Sequence, residues 1–261
     1  MRTSIYQLDA FTSRRFGGNP AAVMPLEHFL SDEALLAIAA ENNLAETAFL
    51  VPENDDYRIR WFTPAVEVPL CGHATLASAA VVMERLQPNR TSVIFQSASG
   101  PLPVTRSGAR YVMDFPARSA DEVSQPPDFA KLLGVQPVQV FVNNFNYLVL
   151  LQDAKTVREL KPDFGGIAQL ERDGVIVTAS GDQGYDFVSR YFAPAKGIPE
   201  DPVTGSAHCM LAPFWSERLD KAEMRAWQAS PRGGEVVCRI HDDRVELEGE
   251  CVFYLEGHAE I

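Results

Sequence analysis

The sequence predicts an α+β fold of two pseudo-symmetric domains, each a mostly antiparallel sheet wrapped around a central helix. The first observation behind this prediction is an internal repeat. Residues 61–77, WFTPAVEVPLCGHATLA, align without a gap with residues 191–207, YFAPAKGIPEDPVTGSA. A repeat at a fixed offset sets the architecture of a chain. The second observation is that each copy leads into a segment that is apolar on nearly every side, at 75–86 and 205–215, as in a buried helix.

The third observation is a series of short segments that alternate apolar and polar residues, the pattern of half-buried strands. In the first half, Ser31 is a good N-cap, with Asp32 and Glu33 in the following turn. Gly17-Gly18-Asn19-Pro20 has the composition of a turn. This half is predicted to contain helices at 31–40 and 75–86 and strands at 4–10, 21–24, 44–51, 57–62, 92–96, 102–105 and 110–114.

The second half repeats this plan after a stretch rich in Pro and Ser, FPARSADEVSQPPD. We place the domain boundary in that stretch, which predicts domains at 1–117 and 118–261 and leaves open which domain holds the last strand. Pro213 is expected to kink or end the second apolar helix. The predicted helices are 129–133, 161–170 and 205–215, and the predicted strands are 138–143, 147–151, 174–179, 185–192, 236–241, 244–248 and 251–257.

Composition excludes several classes of function. The 261 residues carry a net charge of −12, which argues against nucleic acid and anionic membranes as partners, because both require clustered Lys and Arg. No apolar run reaches membrane-spanning length, and the N-terminus lacks the apolar core of a signal peptide. We therefore predict a cytoplasmic protein.

The chain also lacks the motifs of several cofactor and metal sites. The four cysteines are scattered without a CxxC spacing, which predicts free thiols and neither a metal site nor a disulfide framework. GxGxxG, P-loop and GxSxG motifs are absent, so nucleotide binding and serine hydrolysis have no support. We predict no cofactor.

The two repeat copies each place small residues where a helix begins. Unpaired backbone N–H groups and the helix dipole make such N-termini suitable for binding anions. The sequence therefore predicts that Gly72 in the first copy and Gly205 and Ser206 in the second bind substrate. If the halves face each other, the two N-termini converge on one cleft that suits a carboxylate. The alternative is that these residues are ordinary caps.

The repeat aligns Cys71 with Asp201. A cysteine at a helix N-terminus is expected to have a depressed pKa and could act as a thiolate base, although a small buried Cys is often inert. Asp201 is either a site residue or a capping carboxylate.

His73 and Glu46 are the other candidates for proton transfer. His73 titrates near neutral pH, which suits a proton shuttle, but a loop histidine can also be structural. Glu46 lies within the apolar strand LAETAFL, where it is either on the solvated face or buried with a raised pKa. A raised pKa would suit a general acid or base.

Four motifs resemble those of the PhzF (phenazine biosynthesis-like) isomerase family. They are DAFTSRRFGGNPAAV at 9–23, NNLAETAF at 42–49, FTPAVEVPLCGHAT at 62–75 and RYFAPAKGIPEDPVTGSAH at 190–208. The resemblance implies the fold of diaminopimelate epimerase, with the active site between two pseudo-symmetric domains. It also implies proton transfer without a cofactor, and it assigns catalytic roles to Glu46, His73 and Asp201.

In the related epimerases, two cysteines face each other across the substrate. Cys71 occupies the first of these positions, but the second half offers Asp201 there, so Cys71 is at most a helper. Asn19, within the first motif, joins Gly72, Gly205 and Ser206 as a predicted substrate-binding residue.

The sequence thus predicts a cofactor-independent isomerase that moves a proton on a small carboxylate-bearing metabolite and forms a homodimer. One alternative is an amino-acid-type racemase or epimerase that uses Cys71. The other is a non-catalytic protein that binds a metabolite in the same cleft.

Overall fold

The structure, a computed structural model, describes residues 1–261 and is rich in strands. It confirms the predicted α+β class. By its internal contacts the chain separates into two compact units: a first unit of residues 1–114 and 248–261, and a second unit of residues 115–247. None of the helices combines the length and the apolar character needed to cross a membrane.

The elements of the first unit follow the predicted order. Its helices are α1 (Asp32–Asn42) and α2 (Gly72–Val81), and its strands are β1 (Arg2–Ala10), β2 (Asn19–Pro25), β3 (Glu46–Glu53), β4 (Asp56–Phe62), β5 (Glu67–Val68), β6 (Ser92–Ser97), β7 (Gly100–Ser107) and most of β8 (Arg110–Pro116). The predicted cap of α1 is confirmed, because the Ser31 side chain accepts a hydrogen bond from the Ala34 N–H.

Pairing in the first unit is mostly antiparallel, as in β1–β2, β3–β4 and β6–β7–β8. The exceptions are the parallel pairs β2–β3 and β4–β6. A helix connects each of these pairs, α1 in one and α2 in the other, as parallel neighbours require a crossover. The first copy of the repeat is therefore a strand–helix–strand unit.

Helix α2 is the buried helix that the sequence predicts. All its residues from His73 to Val81 are buried, and it packs against β1, β2, β3 and β6. It begins at Gly72, three residues before the predicted start. After Val81 the chain continues as a π-helical turn over Val82–Leu86.

The second unit contains more, shorter helices. They are α3 (Phe129–Leu133), α4 (Ala154–Glu159), α5 (Phe164–Ile167) and α6 (Gly205–Leu219), and the strands are β9 (Asp121–Glu122), β10 (Gln139–Val142), β11 (Asn146–Leu150), β12 (Gly174–Ser180), β13 (Phe187–Ala193), β14 (Ile198–Asp201), β15 (Glu223–Gln228) and β16 (Gly234–His241). The last strand, β17 (Arg244–Glu260), begins in this unit, and its residues 248–260 belong to the first unit.

The second copy of the repeat also forms a strand–helix–strand unit. Strands β13 and β15 are parallel, and α6 connects them. Helix α6 packs against β15 and β16. The Trp215 ring stacks on Phe187 of β13 at a centroid distance of 5.8 Å, and its indole N–H donates to Thr178 Oγ1. The helix is thus held to the sheet by apolar and polar contacts together.

Pro213 does not end α6, which continues to Leu219. Proline lacks the N–H that would bond the carbonyl four residues earlier. That carbonyl belongs to Cys209, and it accepts a hydrogen bond from the Arg118 backbone N–H instead, at 2.9 Å. A partner outside the helix therefore satisfies the group that Pro213 leaves unpaired.

The predicted helix at 161–170 is wrong except for the single turn of α5. Pro162 disfavours the helical conformation at the residue before it. Asp163 then caps the turn by accepting from the Gly166 N–H, and two glycines inside the turn are weak helix formers.

The predicted strands 244–248 and 251–257 are one continuous strand, β17. Gly249 lies within this strand, where an added Cβ would lie 2.4 Å from the ring of Phe11. The glycine marks a close approach of side chain to backbone, as glycines inside strands often do.

Candidate functional site

Four of the predicted site residues lie together in the first unit. Asn19 and Glu46 are the first residues of β2 and β3, which run parallel. Cys71 is the N-cap of α2, and His73 is the second residue of that helix. Parallel pairing places the starts of the two strands side by side, and burial of α2 brings the start of the helix to them.

His73 is the centre of this group. Its Nε2 lies 3.1 Å from Glu46 Oε2, and its Nδ1 lies 3.2 Å from Asn19 Nδ2 and 3.5 Å from Cys71 Sγ. Because a carboxylate only accepts hydrogen bonds, a ring proton on Nε2 faces Glu46.

The side chains of His73 and Glu46 are only 6% and 12% exposed. Burial alone would lower the pKa of His73, but negative charge at the neighbouring Cys71 and Glu46 positions outweighs burial and holds that pKa well above its ordinary value. Since Cys71 is a neutral thiol at pH 7, as shown next, we attribute the raised pKa of His73 to Glu46.

The expected low pKa of Cys71 is wrong. Burial, followed by the nearby charge of Glu46, raises the pKa of the Cys71 thiol to about 11. The position at a helix N-terminus was correctly predicted, but desolvation of the thiolate outweighs the helix dipole. Cys71 is therefore a neutral thiol beside His73 and not a ready thiolate.

The N-terminus of α2 has no side-chain cap in hydrogen-bond geometry, although the Ala74 N–H acts on the Cys71 thiol and lowers its pKa. The Thr75 hydroxyl donates to the Cys71 carbonyl at 2.6 Å and leaves the first N–H groups of the helix unaffected. Gly72 is the first residue of the helix, where the absence of a side chain leaves the backbone accessible.

Asp201 lies in a different position from the one that the repeat suggests. Cys71 immediately precedes α2, whereas Asp201 ends β14, and the N-cap of α6 is Thr204. The Thr204 hydroxyl donates to Asp201 Oδ2 at 2.5 Å. Gly205, the first residue of α6, is buried, and Ser206 is half-buried. The N-cap of α6 likewise makes no side-chain capping bond.

Gln228 is a buried residue that the sequence analysis missed. Its Oε1 accepts from the Thr204 N–H at 2.8 Å, and its Nε2 donates to the Asp201 carbonyl at 2.8 Å. Gln228 thus holds the segment between Asp201 and the start of α6. The sequence analysis missed Gln228 because it ends β15, a strand that was not among the predicted elements.

A nearly buried ion pair fixes Glu200, the residue before Asp201. Arg190 Nε and Nη2 donate to the two carboxylate oxygens of Glu200 at 2.7 and 2.9 Å. Arg190 Nη1 donates to the carbonyls of Val157 and Leu160, at the end of α4. Both members of the pair are nearly buried, at 9% and 13% side-chain exposure.

Arg118 was also missed, because it lies in the stretch read as a linker. Its guanidinium lies over the Phe145 ring, 4.6 Å from the centroid, and its charge acts on the Tyr191 hydroxyl. No carboxylate lies within salt-bridge distance of Arg118. In a chain with 35 acidic and 23 basic residues, a half-buried arginine without an acidic partner is a candidate for binding an external anion.

Comparison with known proteins identifies the family. Residues 8–257 match the PhzC-PhzF model, described as phenazine biosynthesis-like protein. An uncharacterised isomerase of Pseudomonas aeruginosa is 49% identical over 261 residues, the full length of both chains. The phenazine biosynthesis-like domain-containing protein 1 of Mus musculus is 41% identical and covers 98% of this chain and 99% of its own.

A solved structure agrees with these relatives. The PhzF-family phenazine biosynthesis protein of Enterococcus faecalis superposes with a TM-score of 0.97 at 42% identity, over the full length of both chains. The four motifs and the buried Glu46–His73 contact agree with these likenesses. The chain therefore belongs to the phenazine biosynthesis-like (PhzF) family, which includes proteins named as isomerases.

Proposed function

We propose that this protein is a cofactor-independent isomerase that moves a proton on a small carboxylate-bearing metabolite, with Glu46 as the general acid and base. The Glu46–His73 contact carries this proposal. A nearly buried carboxylate 3.1 Å from an imidazole is a suitable pair for taking up and returning a proton.

His73 has a supporting role in this proposal. Its Nδ1 contacts Asn19 and Cys71, so its ring orientation is set before substrate binds. The ring proton on Nε2 faces Glu46 and stabilises the carboxylate while it is charged. In this proposal Asn19 acts indirectly, by helping to orient the His73 ring.

The uncapped N-terminus of α2 would bind the carboxylate of the substrate and stabilise negative charge that develops during proton transfer. In the second unit, Asp201 is proposed as a catalytic residue, and Gly205, Ser206 and Arg118 are proposed to bind an anion. Support for this comes from the uncapped start of α6 and from the unpaired guanidinium of Arg118.

We further propose that the two repeat copies are the equivalent halves of an epimerase-like fold, divided near residue 117. Each copy forms a strand–helix–parallel strand unit, which supports the equivalence. The offset of 130 residues would place the second helix start at residue 202, and the helix begins three aligned positions later, at Gly205.

The test is proton exchange in D₂O with a panel of small carboxylic acids, followed by NMR. A substrate would gain deuterium at one carbon with the wild-type protein. Glu46→Gln should slow this exchange by about 10²–10⁴-fold, the usual contribution of a positioned acid/base. Glu53→Gln, at the other end of β3, is the matched control. Full exchange by Glu46→Gln would rule out the role of Glu46.

One observation favours a second candidate, a racemase that uses Cys71. The Cys71 Sγ lies 3.5 Å from His73 Nδ1, close enough to pass its proton to the imidazole. Deuterium incorporation at a stereocentre that Cys71→Ser abolishes, while Glu46→Gln retains it, would favour this candidate. Tight binding of an acid without exchange would instead indicate a non-catalytic binding protein.

A further inference from the structure

We propose that Glu46, Cys71 and His73 form a binding site for a thiophilic divalent cation, Zn²⁺, and that the bound ion blocks proton transfer. The metal site depends only on the geometry, whereas the block rests on the function proposed above. One ligand atom from each residue can be chosen so that all three lie within 4.8 Å of one another.

The donor set is suited to zinc. A cysteine sulfur, an imidazole nitrogen and a carboxylate oxygen are its three common protein ligands, at about 2.0–2.3 Å from the ion. Around a tetrahedral ion, two such ligands lie roughly 3.2–3.6 Å apart. The observed 3.1 Å between Glu46 Oε2 and His73 Nε2 is close to this range, whereas Cys71 Sγ lies 3.5 Å from Nδ1, the ring nitrogen that an ion at Nε2 does not use.

The contact between His73 and Glu46 is electrostatic and is not a well-formed hydrogen bond. His73 Nε2 is buried and has no partner in hydrogen-bond geometry, although a carboxylate oxygen lies 3.1 Å away. Two ligand atoms of one ion lie close together, but their lone pairs are directed at the ion and not at each other. An ion beside Nε2 would supply the partner that this nitrogen lacks.

Cys71 and Glu46 approach different nitrogens of the ring, so one side chain must move to complete the site. The three ligand atoms lie within 4.8 Å of one another, so the movement required is of the size of a side-chain rotation. Cys71 and His73 are two residues apart at the start of α2, and Glu46 begins β3.

Zinc binding replaces one bond at the thiol and one at the imidazole. The S–H bond of Cys71 breaks as an S–Zn bond forms, and the Nε2–H bond of the protonated His73 breaks as an N–Zn bond forms. Both protons pass to solvent, and His73 is left neutral with its remaining proton on Nδ1. Three protein ligands leave a fourth position for water or for the carboxylate of a bound acid. The Glu46 carboxylate, once bound to the ion, has no free lone pair directed at a substrate proton.

The test uses the full chain after dialysis against a chelator, titrated with Zn²⁺ and, separately, with Co²⁺. We expect one equivalent of Zn²⁺ and, with Co²⁺, a sulfur-to-cobalt charge-transfer band in the near ultraviolet. Cys71→Ser should remove the band and weaken Zn²⁺ binding at least tenfold, and Glu46→Gln should weaken it without removing the band. Cys251→Ser, at a thiol outside the group, should change neither.

Absence of stoichiometric Zn²⁺ binding by the wild-type protein, or a charge-transfer band that survives Cys71→Ser, would overturn the site. The block is measured separately, as loss of proton exchange on adding Zn²⁺ and its recovery with chelator. Stoichiometric binding that leaves exchange unchanged would overturn the block alone. A protein that binds Zn²⁺ but exchanges no proton would contradict the proposed function and leave the metal site standing.

Discussion

His73 Nε2 lies 3.1 Å from Glu46 Oε2, and this contact joins the start of a strand to the start of a buried helix 27 residues further along the chain. The contact explains why a glutamate within an apolar strand is tolerated. Its carboxylate is nearly buried, but it faces an imidazole whose proton can stabilise its charge.

The first prediction concerns the charge state of His73. Because Glu46 raises the pKa of His73, Glu46→Gln should lower that pKa, and an NMR titration of the imidazole would measure the shift. A raised pKa in the folded state stabilises the protein below the unfolded pKa of about 6.5, and this stabilisation is lost as pH rises through the folded pKa. Glu46→Gln should therefore destabilise the protein more at pH 6 than at high pH.

Glu53→Gln, on the same strand, is the control for that titration. If the pKa of His73 stays the same in Glu46→Gln, the carboxylate is not the group that raises it, and the proton-transfer pair loses its physical basis.

The second prediction concerns the reactivity of Cys71. With its pKa raised to about 11, mainly by burial, the thiol should react slowly with iodoacetamide at pH 7. The rate should rise about tenfold per pH unit up to pH 10, because only the thiolate reacts. Glu46→Gln removes a neighbouring negative charge and should speed the reaction at a given pH. Peptide mass mapping would give the rate at Cys71, and a plateau below pH 8 would contradict the raised pKa.

Cys71 also shows what the sequence could and could not predict. Its place at the N-terminus of a buried helix followed from the apolar pattern and was correct. The direction of its pKa was wrong, because it depends on how completely the sheet covers the thiol, and local sequence does not report that. The same distinction holds for Gly249, whose role in a strand depends on the ring of Phe11.

The elements around Asp201 were less predictable than those around Glu46. Strand β15 carries Gln228, but its sequence, EMRAWQ, has too few apolar residues to indicate a strand by itself. Its pairing with β13 and β16 decides its conformation. Arg190 was read as part of a motif, and its bidentate pairing with Glu200 is visible only in three dimensions.

The third prediction is that Gln228 positions Asp201. Gln228→Leu leaves the Thr204 N–H and the Asp201 carbonyl without their partner, which should lower the free energy of unfolding by about 1–3 kcal/mol. Urea unfolding measures this loss. Gln169→Leu changes an exposed glutamine elsewhere in the same unit and should cost less than about 0.5 kcal/mol. Equal losses in the two variants would contradict a specific role for Gln228.

The fourth prediction is that the Arg190–Glu200 pair contributes strongly to the stability of the second unit. Arg190→Met leaves a nearly buried carboxylate unpaired and should lower the free energy of unfolding by about 3–5 kcal/mol. Arg158→Met breaks a more exposed pair with Asp182 and should cost about 1 kcal/mol or less.

Adding Glu200→Leu to Arg190→Met should recover part of the lost stability, because the double variant leaves no unpaired charge. Urea unfolding of the wild-type protein and all three variants measures both effects. A double variant that is less stable than Arg190→Met would show that the cost comes from lost packing and not from the unpaired carboxylate.

The fifth prediction concerns acid sensitivity. His208 is fully buried in α6, where its Nδ1–H donates to the Thr204 carbonyl at 2.8 Å and its Nε2 has no partner. A second ring proton would have no acceptor, and burial lowers the pKa of His208 to about 4. The ordinary pKa of about 6.5 applies to the unfolded chain. Between these values only the unfolded chain binds the proton, so stability falls as pH falls through this window.

Through His208 alone, the free energy of unfolding should fall by about 2 kcal/mol between pH 7 and pH 5. His208→Asn keeps a side-chain donor one turn from the Thr204 carbonyl but cannot be protonated. The variant should therefore lose about 2 kcal/mol less than the wild-type protein over the same pH range, measured by urea unfolding at both pH values. His258→Asn, at an exposed histidine in β17, is the control. If His208 is neutral only in the folded state, the wild-type protein must lose more stability than His208→Asn. Equal losses in the two proteins would therefore assign the acid sensitivity to other groups.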